Sequence, residues 1–325
     1  VGNHDSDNWI TQSLHNINSS WEFNQERSQV FSLSVNEILS SFNKSTRHLF
    51  VLKISEPPTP RMLKILSDLS TSSVVYIMNS NSRGVLERLY SRVPNVGLIA
   101  ENGAYVRLNG SWFNIVEQVS WKEDVIKVFE DKVERLPGSY IKVGDSMVKF
   151  HTENAEDSDR VQGVIGEAMT HINTLFSDKG IHAYVHKNIV FVQEVGLSLK
   201  TMQFLLNYYN SVDDVSCSPQ SPVKQKSSAE TSHSPLLSPI SPRNGAGFFH
   251  VAPKRANSDP IDFLCVTGSS SPVIEPLFQF VNELSKNDKI RSAYSVVHGD
   301  TSSTYAKEHV KGLNELFSIL QRLGQ

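Results

Sequence analysis

Two rhythms of apolar residues alternate along the chain. Residues 49–54, 74–78 and 261–267 are short runs with little polar interruption, as a strand covered on both faces of a parallel sheet requires. Between the first two runs, Met62, Leu63, Ile65, Leu66 and Leu69 recur at helical spacing. A β-α-β order with a parallel sheet follows. Pro57, Pro58 and Pro60 stop the first strand from pairing further. Ligands of open α/β sheets bind at the carboxyl ends of the strands, which makes Lys53, Ser55 and Glu56 the first candidates.

The rhythm changes between 112 and 195. Trp121, Val125, Val128, Phe129 and Val133 mark one helical face, and Val161, Val164, Ile165, Ala168, Ile172 and Leu175 another. Residues 139–151 read as a hairpin turning at Gly144-Asp145, and 181–185 with 189–192 as a second turning across His186-Lys187. This is a small α+β insert. Residues 94–107 read as a strand, an Asn102-Gly103 turn and a returning strand, which turn chemistry alone explains. A helix over 273–284, a strand over 293–297 and a helix over 313–323 close the pattern, and apolar residues between 31 and 42 fit one short helix. The expected fold is α/β: a parallel-sheet core with an inserted α+β cap.

A net charge of −3 without any basic run argues against nucleic acid as a partner. No apolar stretch approaches the roughly 20 residues that cross a bilayer. Cys217 and Cys265 offer no disulfide framework, so a reducing, cytoplasmic location is expected, with Cys265 a buried thiol. The histidines lack metal-ligand spacing, and neither a Gly-x-Ser-x-Gly elbow nor a glycine-rich phosphate loop is present. Residues 211–260 hold eleven serines and seven of the fourteen prolines, too little apolar surface to offset chain entropy, and are expected to be a disordered loop interrupting the core.

Several segments resemble the trehalose-6-phosphate phosphatase domains of the haloacid-dehalogenase superfamily. In that family a strand like Arg47–Leu52 runs into Asp-Tyr-Asp-Gly-Thr-Leu-Thr-Pro, the first aspartate being the nucleophile and the second the acid/base. Here Lys53 and Ser55 take those places, and Thr59-Pro60 still matches. A lysine cannot form an acyl phosphate or hold magnesium. Asn79 stands for the family's phosphate-binding serine, with Ser80 one place later. Residues 94–107 are the best-preserved stretch. Glu134-Arg135-Leu136-Pro137-Gly138-Ser139 matches a cap motif, while Lys142 and Gly144 replace a Glu and a Lys that grip the sugar. His151 is kept. Leu199 takes the slot of the phosphate-neutralising lysine; Lys200, one residue late, is expected to point elsewhere as a solvated side chain. Ser269, in Thr267-Gly268-Ser269-Ser270-Ser271-Pro272, replaces the magnesium-binding acidic signature.

The resemblance implies the following organisation: residues 1–46 as the end of a preceding glycosyltransferase-like domain and a linker, 47–111 as core, 112–195 as cap, 196–210 as a core helix, 211–260 as the loop and 261–325 as core. It implies a pseudo-phosphatase with no cofactor or metal, similar to regulatory subunits of the fungal trehalose-6-phosphate synthase/phosphatase complex, with synthase and phosphatase subunits as partners. Its cleft is expected to bind sugar phosphates poorly, although Lys53 puts a positive charge where magnesium would sit. Two readings compete: a non-hydrolysing sensor of trehalose 6-phosphate using Glu134, His151 and Asn79, and an active phosphatase whose nucleophile is not found. The loop carries Ser-Pro pairs at Ser218, Ser221, Ser234, Ser238 and Ser241, a pattern proline-directed kinases select. Ser258, in Lys254-Arg255-Ala256-Asn257-Ser258-Asp259-Pro260, resembles a 14-3-3 phosphoserine motif.

Overall fold

The computed structural model describes residues 30–117, 119–210 and 259–325. Segment 1–29, Cys217 and the six candidate phosphoserines lie outside them. Strands β1 (Phe31–Ser32), β2 (His48–Lys53), β3 (Val74–Met78), β4 (Gly97–Ala100), β5 (Tyr105–Leu108), β6 (Ser111–Asn114), β11 (Phe263–Gly268), β12 (Ser292–His298) and β13 (Glu308–Val310) form one sheet in the order β1-β13-β12-β11-β2-β3-β4-β5-β6. Pairing is parallel from β1 to β4 and antiparallel in the β4-β5-β6 meander. β2 lies near the middle, between β11 and β3, and every residue of it is buried.

Helices cover both faces, which is why the central strands are apolar throughout rather than alternating. On one face α1 (Val35–Lys44), α2 (Pro60–Leu69) and α8 (Leu313–Leu323) pack over Phe50, Leu52, Val75 and Ile77. On the other, α6 (Leu197–Asn210) and α7 (Glu275–Lys286) pack over Leu49, Val51, Leu264 and Val266. The proline turn after β2 sets up α2: the Thr59 side chain accepts a hydrogen bond from Met62 N at 3.2 Å, and Pro60 begins the helix where its missing N–H costs nothing.

A second sheet, antiparallel in the order β7-β8-β10-β9, is built from β7 (Tyr140–Val143), β8 (Val148–His151), β9 (Ile181–His186) and β10 (Ile189–Glu194). Helices α4 (Lys122–Arg135) and α5 (Ser158–Phe176) cover one face over Val148, Phe150, Val190 and Val192. The alternate residues face the large sheet, so Tyr184 and Phe191 join Met78 and Met202 in its apolar cluster. A short helix, α3 (Arg83–Leu89), follows β3.

Three details differ from the sequence reading. The 1–46 segment does not stand apart as a whole, because Leu33, Ile38 and Phe42 are buried in the core and β1 pairs with β13. The 111/112 boundary falls inside β6, because the hairpin through Asn109-Gly110 returns residues 111–114 to the large sheet. The β9–β10 turn is Lys187-Asn188, one residue later than expected. Both have positive φ (51° and 59°), as a tight hairpin turn needs, and His186 pairs with Ile189.

Candidate functional site

The carboxyl ends of β2, β3 and β12 face the small sheet. Lys53 ends β2 and is only 7% exposed. Among the described residues no hydrogen bond or ion pair reaches its ammonium. Burial pulls its pKa down to about 8; Glu56, on the exposed turn, opposes that and Lys187 adds to it. Lys149 of β8, 8% exposed, reaches the end of β3 and donates to Ser80 O at 2.7 Å and Ser80 Oγ at 3.1 Å. It too is lowered to about 8, by burial first and then by Lys142 and Lys53, with Glu101 opposing. His186 and His298 are both depressed, chiefly by burial, and both feel Lys53 and Lys187. Among the described residues, His298 Nε2 is buried without a hydrogen-bond partner. Lys53 of the core thus feels Lys187 of the cap, and Lys149 of the cap feels Lys53.

The cap is tied to the core beside them. Glu101, Asn102 and Gly103, following β4, all have positive φ (48°, 56° and 114°), and the first two are buried. The Glu101 carboxylate accepts Asp145 N at 2.8 Å, Ser146 N at 2.7 Å and Ser146 Oγ at 2.6 Å from the β7–β8 turn. Asn102 Nδ2 donates to Tyr184 OH at 3.1 Å, and Arg83 pairs with Asp145 at 2.9 Å. A Cβ on Gly144 would stand 2.6 Å from Glu101 Oε1, so this contact requires glycine there. Gly103 carries the chain against the start of α6, where a Cβ would meet Leu197 backbone at 2.7 Å. Between these elements lies a cavity of about 70 Å³ lined by Ser80, Glu101, Lys142 and Lys149. At about 10–15 Å³ per water, it has room for a few waters and not for two sugar rings.

A model of the trehalose-phosphatase family matches residues 42–224, more than half the chain. The chain belongs to the trehalose-phosphatase family. It is 52% identical over 99% of its length to the trehalose synthase complex regulatory subunit TSL1 of Saccharomyces cerevisiae, covering 28% of that protein. It is 51% identical over 98% of its length to the regulatory subunit TPS3 of the same yeast, covering 29%. It therefore spans under a third of the curated relatives it matches. Among solved structures, the C-terminal domain of the Candida albicans trehalose synthase regulatory protein aligns with a TM-score of 0.69 at 26% identity, over 90% of this chain and 99% of that one. The C-terminal domain of C. albicans trehalose-6-phosphate phosphatase shares the fold, with a TM-score of 0.67 at 18% identity over 91% and 98%. The HAD-like architecture read from the sequence is thereby found.

The magnesium this family implies does not fit the residues present. The ends of β2 and β11 offer the Lys53 ammonium and the Ser55 and Ser269 hydroxyls, where the ion prefers carboxylate oxygens. Glu275, the next carboxylate after β11, already accepts Ser270 Oγ (2.7 Å), Tyr305 N (2.7 Å) and Thr304 Oγ1 (3.2 Å). Among the described residues no three His, Cys, Asp or Glu side chains gather as ligands.

The other expected residues of this trehalose-phosphatase family member are placed unevenly. Ser55 is exposed. Asn79 is buried, but its Nδ2 donates to Ile54 O at 2.6 Å and its Oδ1 accepts Asn81 N at 2.8 Å, so its carboxamide holds the loop. Lys200 is ion-paired rather than solvated, because the start of α6 sets it beside Glu194 (2.7 Å) and Glu117 (3.1 Å). His151 Nδ1 meets Glu153 at 2.7 Å and its ring stacks on Tyr140 at 4.5 Å. Glu134 is exposed on α4, in the layer beyond the cap sheet, and does not join Lys53. Sequence reasoning gave no role to Glu101 or Asn102 and did not single out Lys149. Period-two alternation was its available signal, a lysine between the buried Val148 and Phe150 with Lys142 directly across.

Proposed function

We propose that this chain is a catalytically inactive phosphatase-like domain that acts as a regulatory, scaffolding part of a trehalose-synthesising complex. The observation that carries the reading is Lys53: a buried ammonium at the end of the central strand, at the place of the family's nucleophilic aspartate, with hydroxyls at Ser55 and Ser269 instead of metal-binding carboxylates. A cation there cannot attack phosphorus or recruit magnesium. Likeness to two named regulatory subunits supports the same reading. The partners proposed are the synthase and phosphatase subunits of such a complex, met in the cytoplasm. Ser258, once phosphorylated, is the proposed 14-3-3 docking point, and the five Ser-Pro sites are further sites of regulation.

A phosphate-release assay tests inactivity. The intact chain with trehalose 6-phosphate and magnesium is expected to release none, and turnover that disappears in Lys53→Ala would refute the reading. Lys53→Asp with Ser55→Asp is expected to leave the chain inactive, since Ser269 and the cap contacts remain changed. Phosphopeptide mapping that finds Ser258 unmodified under growth, starvation and heat stress would remove the 14-3-3 proposal.

A further inference from the structure

The amino ends of β3 and β4, on the rim of the large sheet away from Lys53, border a cavity of about 400 Å³. β3 begins at Val74 but pairs with β4 only from Tyr76, opposite Gly97, so residues 73–75 and 94–96 diverge beside the cavity. Its walls are held in place. Tyr76 OH and Tyr209 OH share a hydrogen bond at 2.9 Å, a Cβ on Gly97 would run into the Tyr76 ring, and Asn109 at the β5–β6 turn donates from Nδ2 to Tyr208 OH at 3.1 Å. Ligand pockets run from about 300 to 1,000 Å³, and this cavity falls in that range. The fold leaves part of the polar lining unused: Ser73 Oγ and Arg107 Nε are buried and have no hydrogen-bond partner among the described residues. Buried polar atoms of this kind call for an explanation, and two of them around one cavity point to an occupant.

We infer that this cavity is a binding site for a neutral saccharide of one or two rings, seated among Ser73, Asn95, Arg107 and Asn109. The balance of charge argues for a neutral ligand. Arg107 is the one ionic side chain among the described residues that line the cavity, and its Nε stands 3.8 Å from Glu87 Oε1. At that distance its charge is opposed while the N–H stays free to donate. A phosphate or carboxylate would meet the same Glu87 with no second cation to offset it. What the walls supply is hydroxyls and carboxamides, which both donate and accept, beside a guanidinium that donates, a mixture matched by a molecule with several hydroxyls. Tyr209 adds an aromatic wall on which a sugar ring can pack. Unlike the cavity of about 70 Å³ under the cap, this one has room for a disaccharide. The inference goes beyond the reading of an inactive centre and does not depend on it, since the cavity lies at the other end of the strands.

The test is saturation-transfer NMR and calorimetry on the intact chain with glucose, maltose and trehalose, beside glucose 6-phosphate. At least one neutral sugar is expected to bind, more tightly than glucose 6-phosphate, and to shift the Nε–H resonance of Arg107. Asn95→Trp, on the exposed rim, should fill the cavity and abolish binding. Ser73→Ala should weaken binding by about two- to tenfold, the worth of one hydrogen bond, and serves if the bulkier variant fails to fold. Lys200→Met, outside the cavity, should bind as the parent does. Absence of transfer to all three neutral sugars, tighter binding of glucose 6-phosphate, or binding that Ser73→Ala leaves unchanged would overturn the site. None of these outcomes touches phosphate release, so the inactive reading stands or falls separately.

Discussion

Lys132 in the helical layer of the cap and Lys53 at the end of β2 are both buried lysines, 4% and 7% exposed, kept in opposite company. Lys132 donates to Glu167 at 2.7 Å and Asp131 at 3.0 Å, with Arg135 joining Glu167 at 3.0 Å. Burial alone would lower its pKa, but those carboxylates outweigh it and the pKa is raised. Lys53 has burial without the carboxylates and falls to about 8. The first is a charge the fold has accommodated; the second works against folding. A protein keeps the second kind where something other than stability selects it, which is why the cleft and not the cap carries the functional reading.

The strongest way to break this contrast is to unsettle the satisfied charge beside Lys53. Glu101→Ala would orphan the N–H groups of Asp145 and Ser146, and is expected to cost about 3 kcal/mol in denaturant unfolding. Hydrogen exchange at Ser146 should quicken, since its amide donates to Glu101. Gly144→Ala should act in the same direction, because its Cβ would displace the carboxylate. Unchanged exchange at Ser146 in both variants would mean that Glu101 does not hold the cap.

Next comes a change of sign. In phosphate-free buffer Lys53→Met should stabilise the chain by about 1–3 kcal/mol, since it removes an unpaired buried ammonium and keeps the volume. Lys132→Met should destabilise it, through the lost bonds to Glu167 and Asp131. Chemical denaturation of the two variants side by side measures this. Loss of stability in both would erase the distinction.

Most of the frame was legible in the sequence, because strand and helix signals there agree with the packing. The run ending in Lys53 became β2, and the expected strand 74–78 and helix 313–323 match β3 and α8. Misses cluster where tertiary contacts decide. The Asn102-Gly103 turn was read as turn chemistry alone, yet its buried Glu101 and Asn102 grip a cap more than 40 residues away. Helical rotation gave the expectation that Lys200 points away from the slot. What it would meet, Glu194 and Glu117, depended on how α6 leaves β10. The shifted hairpin turn mattered as well, since it places Lys187 where it acts on Lys53.

A smaller effect lies in pH dependence. Lys53 and Lys149 hold folded pKa values of about 8 against 10.5 unfolded. Between those values the unfolded chain binds more protons, so stability should rise with pH from about 8, at about 1 kcal/mol per unit for each lysine. Cys265, pushed well above its ordinary value of 9.0 chiefly by burial, acts the other way from about pH 9, and Tyr90 and Tyr105, raised to about 12 mainly by burial, do so above pH 10. The clean window is therefore about pH 8 to 9. There Lys53→Met should show a shallower slope than the parent, and equal slopes would mean that Lys53 is not depressed.

The smallest effect belongs to Lys200, which sharpens the contrast from the solvent side. Its side chain is 42% exposed and its partner Glu194 only 9%. Solvent screening limits such a pair, so Lys200→Met should cost at most about 1 kcal/mol. Glu194 would still accept the backbone N–H of Glu117 at 3.1 Å, which keeps its carboxylate from being stranded. The signs therefore separate the three lysines: Lys53→Met gains stability, Lys132→Met loses it, and Lys200→Met loses little. If Lys200→Met were also to gain stability, replacing any lysine near the cleft would relieve the same general repulsion. Lys53 would then lose its standing as a specifically unpaired charge.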